Sequence, residues 1–318
     1  MAHDPLAQPH RGPILLCAGT HPAAAARLAE QAPPLLADRP TVVLSTWQRA
    51  PLSGLDTVTD ALYDSHSDLR TAARHAAADA AGAACEVLDE RGLDVTRRVH
   101  PDVRSPWRVI LELADEIGAG AIVAGTSEDR DARPGTLGRD ARALAHRSRR
   151  PLLLLPADGA PADSAAAAIF AYDGSAAAEH AVRVAALLLR PRPALVACAW
   201  QSAAYAVGAA MLAVPDEVAR KGAEALDESA RREAESHARH GSVLLGEAGW
   251  SSETAALAAA RNAAGAILRV AEDHDAAVVI SGTRGRSPLA AALLGSTAEG
   301  IARHAGRPVL LVPPPDDE

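Results

Sequence analysis

Aromatic residues are nearly missing from this chain: four Trp, three Tyr and a single Phe among 318 residues. A core with so few rings must be filled by Ala, Leu, Val and Ile, which suits helices lying close against sheets. Lysine is scarcer still, Lys221 standing alone, so Arg supplies nearly all of the positive charge. Acidic residues outnumber basic ones, 40 to 32, for a formal net charge of −8 and a pI near 5.8. That balance argues against broad electrostatic capture of nucleic acid or anionic membrane, which needs a basic face, and still allows a local phosphate site. Three widely spaced cysteines, Cys17, Cys85 and Cys198, form neither a disulfide framework nor a metal pattern and suit a reducing cytoplasm. Met1 to Pro13 shows no basic segment leading into an apolar run, so no signal peptide is expected. Pro193 to Pro215 carries no charge, but it is Ala-rich and contains Gln201 and Ser202, and no membrane span is expected there.

What the chain does have is repetition. Its length suits two domains of roughly 100–200 residues. Residues 107–156 align with residues 264–313 at a constant offset and without a gap. Ile110-Leu111 meets Ile267-Leu268, Gly125-Thr126 meets Gly282-Thr283, Gly138 meets Gly295, and Arg150-Pro151 meets Arg307-Pro308. Upstream, Ile14 to Thr20 faces Ile169 to Ser175, and Val42 to Gln48 faces Leu195 to Gln201. One domain is therefore used twice, over residues 1–158 and 159–318, joined through a Pro, Gly, Asp, Ser and Ala linker at Ala157 to Ala168.

The second half has an order that the first shares. Apolar runs at Ala168 to Tyr172, Leu195 to Ala199, Ala276 to Ser281 and Pro308 to Val312 predict strands, with a weakly marked one at Ser252 to Ala256. Between them, helical spacing is predicted over Glu179 to Leu189, Pro215 to Arg239, Asn262 to Asp273 and Thr297 to His304. Short apolar runs alternating with helices predict an α/β fold: a five-stranded parallel sheet with helices on both faces, in each half. Ligands of such sheets collect beyond the carboxyl ends of the strands, where the strand order reverses. Asp173 closes the first strand of the second half, and Gly282-Thr283-Arg284-Gly285 closes the fourth, followed after nine residues by Gly295-Ser296-Thr297 at a helix start. Glycines there permit positive φ and close backbone approach, helix-start N–H groups favour an anion, and hydroxyls and Arg284 and Arg286 add donors and charge. The combination reads as a phosphate cradle.

At these residues the sequence resembles the universal stress protein family, in its tandem-domain form. The likeness rests on Tyr172-Asp173-Gly174-Ser175, on Gly282-x2-Gly285-x9-Gly295-Ser296, and on Arg307-Pro308-Val309-Leu310-Leu311-Val312, and it spans nearly the whole chain as two copies. It implies flavodoxin-like or Rossmann-like domains of strand order 3-2-1-4-5. It also implies ATP as the ligand, with ADP or AMP as other resident species and Mg²⁺ held through the phosphates. Asp173 and the Ala199 backbone would contact adenine, while Gly282, Gly285, Gly295 and Ser296 would hold ribose and phosphates. Arg284 and Thr297 complete the candidate set. The resemblance further implies that the last strands, Pro151 to Leu155 and Pro308 to Val312, pair with each other as an intramolecular pseudo-dimer, and it leaves a homodimer open.

Two departures bear on the site. Ala298 stands where many ATP-binding relatives have a second hydroxyl. In the first half Ala18 faces Asp173, Glu128 replaces the second glycine and Arg139 replaces Ser296, so only the second half is expected to bind nucleotide, one per chain. No general base is evident, so the expected role is a regulatory or sensor module, at most slowly hydrolytic, and no catalytic residue is assigned. The alternatives are a nucleotide-free interaction scaffold and an ATP-using nucleotidyl or phosphoryl transferase. Plainer readings stand beside these. Asp173 can cap the next helix, Arg284 and Arg286 can be solvated charges, Trp47 and Trp200 suit packing, and His237 and His240 suit a solvated helix face rather than a metal site. Nucleophile-elbow, zincin and P-loop motifs do not occur.

Overall fold

In a computed structural model, residues 10–47, 60–101, 105–126, 136–202, 216–259, 262–285 and 294–315 are described. The short apolar runs become strands: β1 (Ile14–Cys17), β2 (Thr41–Thr46), β3 (Val95–His100), β4 (Ala121–Gly125) and β5 (Leu152–Leu155) in the first half. The second half holds β6 (Ala168–Ala171), β7 (Ala194–Gln201), β8 (Ser252–Ala259), β9 (Val278–Gly282) and β10 (Val309–Val312). Between them run α1 (Pro22–Gln31), α2 (Asp60–Glu90), α3 (Pro106–Glu116), α4 (Arg139–Arg147), α5 (Ala176–Leu188), α6 (Asp216–Glu247), α7 (Ala263–Asp273) and α8 (Ser296–His304).

Helix starts follow local chemistry. Pro22 and Pro106 open α1 and α3, where a missing N–H costs nothing. Ser175 caps α5 by accepting from the Ala178 N–H at 3.2 Å, and Asn262 caps α7 by accepting from the Gly265 N–H at 2.8 Å. No helix among the described residues is long and apolar enough to cross a membrane, and the first part of the charge-free stretch is β7.

All ten strands join in one sheet of order β3-β2-β1-β4-β5-β10-β9-β6-β7-β8. Each half is parallel and of order 3-2-1-4-5, and the halves meet through antiparallel pairing of β5 with β10, Leu153 opposite Leu310. The central strands are buried on both faces, which is why they read as unbroken apolar runs. Of the outermost strands, β3 is largely exposed and β8 partly so, and they carry polar or charged residues, including Arg97, Arg98 and Glu253. One core layer, with Leu16, Phe170 and Val196, lies under α1, α2, α5 and α6; the other, with Leu15, Ile122, Ile169 and Val279, lies under α3, α4, α7 and α8.

Beside the junction, the segment after α1 docks on the end of α5. The Ala37 N–H donates to the Leu188 carbonyl at 2.9 Å, and the Arg190 N–H to the Leu35 carbonyl at 2.8 Å. Arginine forks finish the contact: Arg39 donates to Leu187 O at 3.0 Å, Arg190 to Pro33 O at 2.9 Å, and Arg192 to Pro34 O. A guanidinium's fixed fan of donors suits such carbonyl-rich turns.

The register corrects one sequence correspondence. The Ala18 N–H donates to Leu44 O as the Tyr172 N–H donates to Ala197 O. Ala18 is therefore the counterpart of Tyr172, and Gly19 stands in the place of Asp173. The alignment slipped by one residue because it followed the shared Gly-Ser/Thr step, whereas register is fixed by the ladder.

Candidate functional site

In the second half, the chain leaves β6 toward β7 on one side and β9 lies on the other, so a crevice opens between the carboxyl ends of β6 and β9. A cavity of about 410 Å³ occupies this place. Its walls include Asp173, Ala199, Gly282, Arg284, Gly285, Gly295, Ser296 and Thr297, so the structure brings together all eight residues singled out from the sequence. Arg286 and Glu128 lie outside the described residues.

Asp173 stands two residues past the end of β6. Its Oδ1 accepts from the Ser175 N–H at 3.0 Å and from the Ser175 hydroxyl at 2.6 Å. Ser175, not Asp173, caps α5, so the carboxylate braces the cap and presents its other oxygen to the β9 loop. A side chain at Gly285 would come within 3.1 Å of Asp173 Oδ2. At Gly282 it would meet the carbonyl of Ala177 at 3.2 Å, and at Gly295 that of Thr283 at 3.3 Å.

These contacts explain the three glycines differently from the sequence expectation. None of them has a positive φ; they are small because the loop after β9, the start of α5 and the start of α8 are pressed together. Gly174 is the residue of this turn that needs the left-handed region, at φ +77°, and it lies directly against the His237 ring of α6. Sequence reading put His237 on a solvated face. Its Nε2 lies 3.3 Å from Glu233 Oε1, and that of His240 3.4 Å from Glu179 Oε1, while the described residues contain no cluster fit to hold a metal ion.

Opposite Asp173, the Gly295 N–H donates to Thr283 O at 2.8 Å and turns the chain into α8. Gly295 supplies no side-chain cap, so the N–H groups of Ser296, Thr297 and Ala298 open the helix without intrahelical acceptors, at the positive end of its dipole. With the two hydroxyls and the Arg284 guanidinium, that rim is built to receive an anion. Asp173 is the sole carboxylate among the described lining residues.

Behind Asp173, Tyr172 is buried under α6, its ring 6.3 Å from that of His240, and its hydroxyl has no hydrogen-bond partner among the described residues. Burial, with the nearby charges of Glu179 and Asp173, pushes its phenol up to about 12. It stays neutral and serves as packing. The apolar wall made by Ile267, Leu294 and Ala263 was not picked out from the sequence. The helical spacing of Ala263, Ala264 and Ile267 marks a buried face of α7 without saying that its first turn overhangs a cavity. Trp47 is buried and Trp200 half-buried against the core, and Cys198 is a core residue while Cys17 is half-buried.

Comparison with known proteins matches this architecture. A search of curated proteins gives no match. A solved universal stress protein from Archaeoglobus fulgidus DSM 4304 superposes with a TM-score of 0.56 at 16% identity, covering 96% of this chain and 97% of its own. A functionally unknown protein from Pseudomonas aeruginosa PAO1 gives 0.55 at 19% identity, with coverage of 97% and 95%. Such identities establish the fold alone. The sequence pattern of the Universal stress protein family matches twice, over residues 11–156 and 168–313, and the chain therefore belongs to that family as a tandem of two of its domains.

Proposed function

We propose that the chain is a nucleotide-binding regulatory module that holds one ATP, in the cavity of its second half. The observation that supports this most directly is the three-way closure at Gly282, Gly285 and Gly295, which brings the Asp173 carboxylate and the open N-terminus of α8 to one cavity. Asp173 Oδ2 suits the amino edge of an adenine ring, since a carboxylate accepts from an exocyclic amine. The N–H groups, Ser296 and Thr297 suit phosphate oxygens. Mg²⁺, bound through those phosphates, would offset the charge of the triphosphate. Among the described lining residues no base is placed to activate water, so the reading is of a binding module and not of a rapid hydrolase.

The test is calorimetric titration of the full chain with Mg-ATP, beside mass spectrometry of small molecules released on denaturation. One nucleotide per chain is expected. Gly295→Glu drives a carboxylate into the anion rim and should abolish binding, whereas Gly138→Glu in the first half should change it little. Two nucleotides per chain, or none at millimolar ATP, would overturn the reading.

A further inference from the structure

The two halves differ most in charge along the helix that follows each fourth strand. The Gly138 N–H donates to Thr126 O at 2.8 Å as the Gly295 N–H does to Thr283 O, so α4 and α8 begin in the same way, each lining the cleft of its own half. Where α8 then presents Ser296 and Thr297, α4 presents Arg139 and Asp140. Residues 139–150 hold five arginines and one aspartate, against two arginines and one glutamate in residues 296–307. In a chain of net charge −8 that run is a local reversal of sign.

Helical spacing turns this charge outward. Ala141, Leu144 and Ala145 form the buried side of α4, while Arg139, Arg142 and Arg147 are exposed, as is Arg149 just past the helix end. Arg108 of α3 joins them at the surface. Arg150 is taken up by Asp115 at 3.4 Å, but Arg108, Arg142, Arg147 and Arg149 have no carboxylate partner among the described residues. On α6 the opposite holds: Arg231 pairs with Glu228 and Glu235, and Arg232 with Glu228.

Helix formation does not account for these arginines. Basic side chains favour a last turn, where Arg147 stands; Arg108 and Arg139 stand in first turns, where the dipole opposes each by about 0.3–1 kcal/mol. Two of the guanidiniums are also held in place. Those of Arg108 and Arg147 lie over the Trp107 ring, 5.1 Å and 4.9 Å from its centroid. A guanidinium stacked on an indole keeps its edge N–H donors for an oxyanion, and holding it beforehand lowers the ordering cost of binding.

The surroundings select the oxyanion. A ring already covered by guanidiniums is a poor platform for a nucleic-acid base, and the exposed Glu112, Asp115 and Glu116 of α3, with the net charge of −8, oppose a long polyphosphate. The basic row from Arg139 to Arg149 is about 15 Å long, a span that four or five residues of extended chain would cover.

We infer that the α3 and α4 face of the first half docks a short acidic segment of a partner protein, whose carboxylates are received by Arg108, Arg142, Arg147 and Arg149. The surface is separate from the cavity of the second half and does not rest on ATP binding there.

The probe is a fluorescein-labelled peptide of eight glutamates, titrated with the full chain by fluorescence anisotropy beside octathymidylate carrying the same label. The peptide should bind at least tenfold more tightly than the oligonucleotide, and raising the salt from about 50 to about 500 mM should weaken it at least tenfold. Arg142→Gln combined with Arg149→Gln should also cost at least tenfold. Arg231→Gln combined with Arg232→Gln, which removes the same charge from α6, should change affinity less than twofold. Trp107→Leu, which releases two guanidiniums, should weaken the peptide several-fold, and Trp107→Phe, which keeps a ring, should restore most of the loss. No binding at low salt, octathymidylate bound as tightly as the peptide, equal losses from the α4 and α6 pairs, or an unchanged affinity in Trp107→Leu would each overturn the proposal. Thermal midpoints within a few degrees of the parent establish that the variants are folded.

Discussion

Gly174 carries two constraints at one residue: a left-handed backbone and contact with the His237 ring. Gly174→Ala should therefore lose about 1–2 kcal/mol to the backbone alone, with a further steric cost from the ring. Adding His237→Ser should recover the steric part and leave the backbone part, which urea unfolding of the single and double variants can separate. His180 provides a pH handle. It is buried, packs edge-on against His10 at 5.7 Å between ring centroids, and burial, assisted by Arg183, holds its imidazole below the ordinary 6.5. Above about pH 6.5 both folded and unfolded chains keep it neutral; below that the unfolded chain takes the proton first, so stability falls as pH drops toward the lowered folded value. His180→Gln should flatten the fall in urea midpoint between about pH 7 and 5. The cradle residues were legible in the sequence because spacing in strand-and-helix context is local information. The reason for the glycines was not, because it lies in which backbones meet: Gly285 owes its size to Asp173, more than a hundred residues away.

At the scale of elements, the caps are the cleanest test of how local chemistry sets boundaries. Ser175→Ala removes the cap of α5 and one hydrogen bond to Asp173 together, and Asn262→Ala removes the cap of α7 alone. Each should cost about 1 kcal/mol in stability. If Asp173 is a nucleotide ligand, Ser175→Ala should also weaken ATP in calorimetry by loosening the carboxylate, which keeps the backbone N–H at 175 but loses the 2.6 Å hydroxyl bond, while Asn262→Ala should not. Helix ends show where sequence reading stopped early. The expected end of the long helix at Arg239 falls just before His240-Gly241, a pair that looks like a terminator, yet α6 continues to Glu247. A side chain at Gly241 would come within 2.9 Å of Val196 and 3.1 Å of Tyr172, so this glycine lets the helix press on β7 and β6. The third strands were faint for the opposite reason. β3 lies at an outer edge with nearly all of its length exposed and lacks the apolar run that betrays a buried strand, while β8, at the other edge, opens on Ser252, Glu253 and Thr254 and continues in small alanines that favour helix as readily as strand.

At the scale of the molecule, the β5 and β10 junction makes one sheet of two repeats. Leu153 and Leu310 are both fully buried there. Scanning calorimetry should therefore show one cooperative transition, not two, and Leu310→Lys, which buries an unpaired charge at the seam, should destabilise both halves together by more than about 3 kcal/mol. The repeat itself was plain in the sequence, since fifty positions align without a gap; the seam, being a pairing of two distant edges, rested on family likeness until the register was seen.

The covalent link between the halves also has a consequence for inheritance. In a dimer of identical chains, every substitution appears on both sides of the two-fold axis, so a change that ruins one pocket ruins its twin. A tandem chain is released from that rule. Asp140 could arise opposite an intact Thr297, and Gly19 opposite an intact Asp173, because each half has its own codons while both still share one sheet. Joining two copies in one chain is what allows two clefts of common descent to differ residue by residue while their sheet stays continuous.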